Sequence, residues 1–146
     1  MTEPVILLVE DNATDEELTL RALRKSKVAN QVTVTRDGAE ALDYLFARGA
    51  YSDRDPTDAP QVILLDLNLP KVGGLDVLRA IRGDPRTKVL PVVILTSSKE
   101  DNDLLAGYES GANSYIVKPV DFTQFAEAIR QLGLYWLVLN HAAPIV

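Results

Sequence analysis

The sequence contains no cysteine and only one histidine, His141. The absence of cysteine excludes disulfides, thiolate metal sites and cysteine nucleophiles, and it fits a reducing cytosol. His141 lies near the end of the chain, and we assign it no function.

Basic leader segments and long hydrophobic runs are also missing. The first ten residues, MTEPVILLVE, have no basic region before their short apolar stretch, so we expect neither a signal peptide nor a transmembrane helix. The 21 acidic residues outnumber the 15 basic ones, giving a formal net charge of −6. This balance argues against a nucleic-acid-binding surface. We expect a cytoplasmic protein that binds neither nucleic acid nor membrane.

The pattern of apolar residues predicts a single α/β domain over residues 1–146. Five short apolar runs alternate with five amphipathic, helix-like stretches, which indicates βαβ units and a parallel sheet. The expected fold is a (βα)5, doubly wound, flavodoxin-like sheet with strand order 2-1-3-4-5. The five predicted strands are Val5–Val9, Gln31–Thr35, Val62–Leu65, Val92–Leu95 and Ser114–Val117.

Capping patterns predict where the helices begin and end. A short polar residue is followed three positions later by an acid or an amide at four places, as in a capping box. These pairs are Thr14 with Glu17, Asp37 with Glu40, Ser98 with Asp101, and Asp121 with Gln124. Gly83 is expected to end the third helix and Gly111 the fourth. The polar stretch Ala50–Pro60 is expected to be a solvated surface loop.

Polar residues with complementary chemistry follow four of the predicted strands. In an open parallel sheet, ligands bind outside the carboxyl ends of the strands. These residues are Glu10 and Asp11 after the first strand, Asp66 and Asn68 after the third, Thr96 after the fourth and Lys118 after the fifth. Each one alone is more often a turn residue, a helix cap or a surface charge. Because all of them follow strands that end at the same edge of the sheet, together they indicate a ligand-binding site.

Three carboxylates crowded together repel one another unless a cation joins them. Mg2+ suits such oxygen ligands. One carboxylate could then attack phosphorus, while Thr96 donates a hydrogen bond to the transferred group and Lys118 neutralises one of its oxygens. The residues by themselves therefore predict magnesium-assisted phosphoryl transfer.

Four segments together resemble the receiver domain of two-component response regulators. They are LLVEDN, VILLDLNLP-KVGGL, VVILTSS and GANSYIVKPV, and the resemblance covers roughly Val5 to Leu132. The resemblance implies a signalling domain rather than an enzyme with an external substrate. It implies that the domain accepts a phosphoryl group from a sensor histidine kinase. The early VEDN segment, the longer loop before the third strand and the apolar tail are similar to regulators that pair with phytochrome kinases.

The resemblance also implies a role for each site residue. Asp66 would be the phosphoacceptor, and Mg2+ would be held by Glu10, Asp11, Asp66 and the backbone carbonyl of Asn68. Lys118 would bind the phosphoryl group, with a cis peptide bond to Pro119.

Two further pairs of residues concern the phosphorylated state. Thr96 would move towards the phosphoryl group, and Tyr115 would rotate into the vacated space, which changes the surface of the fourth helix, the fifth strand and the fifth helix. The alternative is that Tyr115 is a static strand residue. Asn68 and Ser98 would flank the line of water attack and tune the lifetime of the phosphoryl group.

An extended apolar tail is expected at about residues 132–146. Its segment Leu132–Leu139, LGLYWLVL, is too short to span a membrane and is apolar on nearly all sides. Such a segment needs a cover. A second copy of the chain could cover this segment, in a homodimer formed by the tail and by the surface of the last two helices and the fifth strand. Docking of the kinase could also cover it. Packing against its own domain is the alternative. The absence of an attached output domain favours a stand-alone regulator.

Two other functional classes fit the residues of this chain less well. An aspartyl phosphatase of related fold would place a second acid two positions after its nucleophile, where this chain has Asn68. A flavodoxin-type protein would need a phosphate-binding loop rich in hydroxyls and glycine after the first strand, where this chain has Glu10 and Asp11. The sequence therefore disfavours both.

Overall fold

The computed structural model describes residues 6–25, 32–97, 109 and 111–133. Its strands are β1 (Ile6–Val9), β2 (Val32–Thr35), β3 (Val62–Asp66), β4 (Val92–Thr96) and β5 (Ser114–Val117). Its helices are α1 (Ala13–Lys25), α2 (Gly38–Phe46), α3 (Gly74–Arg82) and α4 (Phe122–Gln131), with a short 3-10 helix at Gly49–Tyr51. The predicted fourth helix falls between β4 and β5 and, apart from Glu109, lies outside the described residues.

All five strands are parallel and lie in the order β2-β1-β3-β4-β5, which confirms the predicted fold. The residue opposite Asp66 in the sheet is Leu95, and the residue opposite Thr96 is Val117. β3 and β4 each extend one residue further than predicted, to Asp66 and Thr96. Their polar side chains therefore belong to rigid strand ends rather than to the loops that follow.

The sheet separates two apolar layers, because successive side chains of a strand point to opposite faces. Ile6 and Leu8 pack on one face with α1 and α4, whereas Leu7 and Val9 pack on the other with α2 and α3. β1 and β3 are buried along their whole length. This double burial explains their unbroken runs of Val, Ile and Leu.

The helix starts agree with the predictions in two places. The side chains of Asp37 and Asp121 accept hydrogen bonds from the backbone N–H groups of Glu40 and Gln124. The predicted cap at Thr14 is wrong. Helix α1 begins at Ala13, and its cap is Asn12, whose Oδ1 accepts from the backbone N–H of Asp15 at 2.9 Å.

The remaining boundary predictions have mixed outcomes. Helix α3 ends at Gly83 as expected. Gly111 has a φ of +103°, which suits a glycine at a helix end. Most of the loop from residue 50 to residue 60 is exposed, as predicted. The proposed Ser98 cap and the apolar tail beyond Gly133 lie outside the described residues. Among the residues that the structure describes, no helix is both long enough and apolar enough to cross a membrane.

Candidate phosphoacceptor and metal site

The carboxyl ends of the strands bring the predicted side chains together. Asp66 ends β3 and Thr96 ends β4, while Glu10 follows β1 and Lys118 follows β5. Lys118 is joined to Pro119 by a cis peptide bond, as the sequence predicted. Glu10, Asp66 and Thr96 are at most 3% exposed. The parallel sheet therefore brings polar groups from four strand ends together, and most of them are buried.

The ammonium of Lys118 lies at the centre of this cleft and contacts three carboxylates. Its Nζ atom is 2.7 Å from Glu10 Oε1, 2.9 Å from Asp66 Oδ2 and 3.0 Å from Asp15 Oδ2. Two of these contacts, to Asp66 and Asp15, are hydrogen bonds that the ammonium donates, and the contact with Glu10 is an ion pair. Burial lowers the pKa of Lys118, but the contacts with the three carboxylates outweigh burial and raise its pKa above the usual value. Lys118 is therefore a fixed positive charge.

Glu10 is the most deeply buried of the acids. Its contact with Lys118 is an ion pair rather than an aligned hydrogen bond, because Oε1 accepts no hydrogen bond from the described residues. Its other oxygen, Oε2, accepts from the backbone N–H of Asn12 at 3.3 Å. Burial, followed by the neighbouring Asp66, raises the pKa of Glu10 to about 7 despite the opposing effect of Lys118. The charge of the buried Glu10 carboxylate is therefore only partly offset by Lys118.

The donor groups fit a divalent cation. Glu10, Asp11 and Asp66 each offer one carboxylate oxygen, and these three oxygens lie within 4.8 Å of one another. Asp11 is exposed, whereas Glu10 and Asp66 are buried, so one side of the group is open. Mg2+ prefers oxygen ligands and keeps several waters, which needs such an opening. The buried Glu10 oxygen that accepts no hydrogen bond is consistent with the same site.

The carboxylate of Asp66 is held at both of its oxygens. Oδ1 accepts from the backbone N–H of Asn68 at 3.0 Å, and Oδ2 accepts from Lys118. The backbone of Asp66 is also closely packed, because a Cβ atom built on Gly74 would lie 2.4 Å from the Asp66 carbonyl oxygen. Gly74 is therefore the residue that lets α3 approach the site.

The other predicted residues occupy consistent positions. Thr96 lies next to Leu95, the sheet partner of Asp66. Tyr115 is 40% exposed on β5, opposite Ile94. Ser98 lies outside the described residues. The roles predicted for these residues, and for the Asn68 carbonyl, remain predictions.

Asp15 is the site residue that sequence reasoning missed. It lies in the first turn of α1, and an acid there is normally explained by the helix dipole alone. Its contact with Lys118 joins residues 103 positions apart. The one signal in the sequence is that Asp15 follows Asp11 by four positions, which is about one helical turn, so its side chain can face the same rim of the sheet.

Comparison with known proteins agrees with this geometry. The sequence profile of the response regulator receiver domain matches residues 6–130. The probable methanogenesis regulatory protein FilR2 of Methanothrix harundinacea is 38% identical over 94% of this chain and 86% of its own length. The response regulator Rcp1 of Synechocystis is 37% identical over 91% of this chain and 88% of its own length.

Solved structures of similar proteins have the same fold. The bacteriophytochrome response regulator AtBRR is 54% identical, with a TM-score of 0.86 over 96% of this chain and 99% of its own. The phosphorylated cyanobacterial phytochrome response regulator RcpA is 39% identical, with a TM-score of 0.76 over 93% and 95%.

The Mn2+-bound form of Rcp1 is 36% identical, with a TM-score of 0.74 over 92% of this chain and 94% of its own. The family profile covers most of the chain, and several relatives match along nearly their whole length. This chain therefore belongs to the response regulator receiver domain family.

Proposed function

We propose that this protein is a signalling switch that carries a phosphoryl group on Asp66. The observation that carries the proposal is the contact of 2.9 Å between Asp66 Oδ2 and Lys118 Nζ, inside a cleft that Glu10 and Asp11 also line. A nucleophilic carboxylate beside a fixed cation and a candidate metal site is suited to receiving a phosphoryl group.

In the proposed transfer, an oxygen of Asp66 attacks the phosphorus of a phosphohistidine on the kinase. The new O–P bond forms as the N–P bond breaks, and the electron pair of that bond stays on the histidine nitrogen. Lys118 faces the incoming phosphoryl oxygens and offsets their charge, since it already contacts Asp66. The backbone N–H of Asn68 holds the other Asp66 oxygen and so orients the carboxylate.

We propose Mg2+ as the cofactor of this site. Glu10, Asp11 and Asp66 would hold it through side-chain oxygens, with the Asn68 carbonyl as a further ligand. When bound, the ion supplies positive charge that offsets the charge of the phosphoryl oxygens. The occurrence of a Mn2+-bound form of the relative Rcp1 supports a divalent ion here.

The phosphoryl group should be held as a signal rather than passed to an external substrate. A phosphatase of related fold needs an acid two positions after its nucleophile, and Asn68 cannot donate a proton in that way. We propose that Asn68, with Ser98, instead sets the time for which the acyl phosphate survives.

The signal would leave the site through Thr96 and Tyr115. A phosphoryl group adds negative charge and acceptor oxygens, which would draw the Thr96 hydroxyl inward. Tyr115, half-exposed on β5, would then rotate and alter the surface formed by β5 and its flanking helices.

We propose a sensor histidine kinase as the phosphodonor, in the cytoplasm. The relatives AtBRR and RcpA are described as phytochrome response regulators, which supports a phytochrome-linked kinase. A shallow groove of about 210 Å3 supports docking of a protein donor beside the site. It lies between α1 and the start of α4, and its wall includes Leu18, Pro119 and Phe122.

We also propose that the protein forms a homodimer through the β5 surface and the apolar tail. Sizing the protein by light scattering, with and without phosphorylation and beside a truncation before Tyr135, tests this. A monomer of unchanged mass in every sample would refute the dimer.

Incubation with acetyl phosphate and Mg2+, followed by intact-mass measurement, tests the proposed function. The wild type should gain one phosphoryl group, and Asp66→Asn and a sample treated with a metal chelator should gain none. An unmodified wild type, or equal labelling of Asp66→Asn, would refute the proposal.

A further inference from the structure

Three acids contact Lys118, but they do not have equivalent positions. Glu10 and Asp66 also belong to the group of carboxylates that could hold a divalent ion, together with Asp11. Asp15 contacts Lys118 at 3.0 Å and does not belong to that group. A divalent ion bound by Glu10, Asp11 and Asp66 would therefore not compete with Lys118 for the Asp15 carboxylate.

This difference has an electrostatic consequence. Two of the three carboxylates that hold the Lys118 ammonium would be shared with a divalent ion, and like charges repel at short range in a buried site. Before a phosphoryl group arrives, an ammonium with no other anion beside it would be pushed away from Asp66. Asp15 supplies that anion on the α1 side of the cleft, so the lysine would keep a partner if Glu10 and Asp66 also held a divalent ion.

The position of Asp15 is well defined. Its backbone N–H donates to the Oδ1 of Asn12 at 2.9 Å, which fixes the first turn of α1. Its side chain is 32% exposed and the Lys118 side chain only 9%, so the ion pair is partly shielded from water. A shielded pair with a fixed backbone is stronger than an exposed pair between two mobile side chains.

We propose that Asp15 is a positioning residue that holds Lys118 beside Asp66 while the metal is bound and the phosphoryl group is transferred. The inference rests on the proposed function, because it concerns the loaded site. Asp15 does not touch the reacting atoms, and it acts only through the lysine. Asp15 lies outside the segments that resemble receiver domains, since the first of them, LLVEDN, ends at Asn12.

The variant Asp15→Asn removes the charge and keeps the shape. We expect it to slow phosphorylation of Asp66 by acetyl phosphate, at saturating Mg2+, by about five- to tenfold, as loss of one partly buried ion pair would do. Asp15→Glu keeps the charge and should recover most of the rate. Glu17→Gln removes one charge from the exposed face of the same helix, where Glu17 pairs with Arg21 and Arg24, and should have no effect.

A second measurement reports on the lysine itself. Nitrogen-15 relaxation of the Lys118 ammonium, recorded with Mg2+ present, should show an immobile group in the wild type and a mobile one in Asp15→Asn. A merely structural role of Asp15 would lower the melting temperature without this selective change at Lys118.

The outcomes separate the two proposals. A mobile ammonium together with slower phosphorylation of Asp15→Asn supports the positioning role. An immobile ammonium in Asp15→Asn, an unchanged rate, or an equal loss of rate in Glu17→Gln overturns it while the proposed function stands. If the wild type itself takes no phosphoryl group, the proposed function fails, and with it any positioning role in the transfer.

Discussion

Lys118 Nζ and Asp66 Oδ2 lie 2.9 Å apart, although 52 positions separate the two residues in the chain. Each belongs to the end of a different strand, and both side chains are less than a tenth exposed. Burying two charges costs desolvation energy, and well-packed apolar residues would often stabilise the fold at least as well. The pair lies at the carboxyl rim of a parallel sheet, which is where the proposed phosphoryl transfer needs it.

Lys118→Met should destabilise the protein when no metal is present. The substitution leaves Glu10 and Asp66 buried without their cation, and we expect a loss of about 2–4 kcal/mol in the free energy of unfolding at neutral pH. Mg2+ should restore part of the loss, because it offers those carboxylates a new cation. Urea unfolding with and without Mg2+ measures both effects.

A matched control for this variant is Lys71→Met. Lys71 also pairs with an aspartate, Asp37 at 3.3 Å, but its side chain is 70% exposed. We expect a change within about 0.5 kcal/mol that does not depend on Mg2+. An equal loss in the two variants would mean that burial does not distinguish Lys118.

The stability of the metal-free protein should fall between about pH 4.5 and pH 7. Burial and Asp66 raise the pKa of Glu10 from 4.5 to about 7 in the folded state. The folded state therefore binds a proton that the unfolded state has lost, and this contribution is present below the unfolded pKa and disappears as pH rises through the folded pKa. Its size should be about 3 kcal/mol, since the pKa changes by about 2.5 and each unit corresponds to about 1.4 kcal/mol. Denaturant unfolding across this range measures it.

Glu10→Gln is the control for the pH dependence, because it removes the titrating group and keeps the shape. In this variant the fall in stability over the same range should be absent. Mg2+ should bind the wild type more tightly as pH rises towards 7, because the ion displaces the Glu10 proton. Mg2+ affinity that is independent of pH would contradict the assignment of Glu10 as a ligand.

Gly74→Ala should disturb the site, whereas the neighbouring Gly73→Ala should not. A Cβ atom on Gly74 would lie 2.4 Å from the Asp66 carbonyl oxygen and 2.6 Å from the Leu67 Cα, and backbone atoms cannot easily move aside. On Gly73 the nearest atom is 3.9 Å away. We expect Gly74→Ala to lose about 2 kcal/mol or more and to phosphorylate slowly. Equal melting temperatures of the two variants would contradict this packing.

Asn12→Ala should destabilise α1 more than Thr14→Ala does. Asn12 is the cap observed in the structure, and its loss should cost about 1 kcal/mol. Thr14 is exposed within the helix and should change stability by only a few tenths of that amount. Thermal unfolding of both variants distinguishes them. A larger loss for Thr14→Ala would favour the cap expected from the sequence.

The fold was predictable because burial leaves a simple trace in sequence. Strands covered by helices on both faces need unbroken apolar runs, and β1, β3 and β4 have them. The predicted ends of β3 and β4 were one residue short, because Asp66 and Thr96 are polar and an apolar pattern stops before them. Strand pairing continues through the backbone regardless of the side chain.

Most of the candidate site was predictable for a different reason. Parallel strands end at one rim, so Glu10, Asp66 and Lys118 had to approach one another. Asp15 was not predictable in this way, because its contact depends on how α1 lies against the end of β5. The choice between Asn12 and Thr14 as the cap of α1 depends on backbone angles in the preceding loop, which the two side chains do not reveal.

Locating the phosphoryl group tests the central claim most directly. The protein is incubated with acetyl phosphate and Mg2+ and then reduced with borohydride, which converts a phosphorylated aspartate to homoserine. Peptide sequencing by mass spectrometry then reads the residue at each position. We predict homoserine in place of Asp66 in the treated wild type and aspartate there when acetyl phosphate is omitted. Aspartate at that position in protein that carries a phosphoryl group elsewhere would contradict the account.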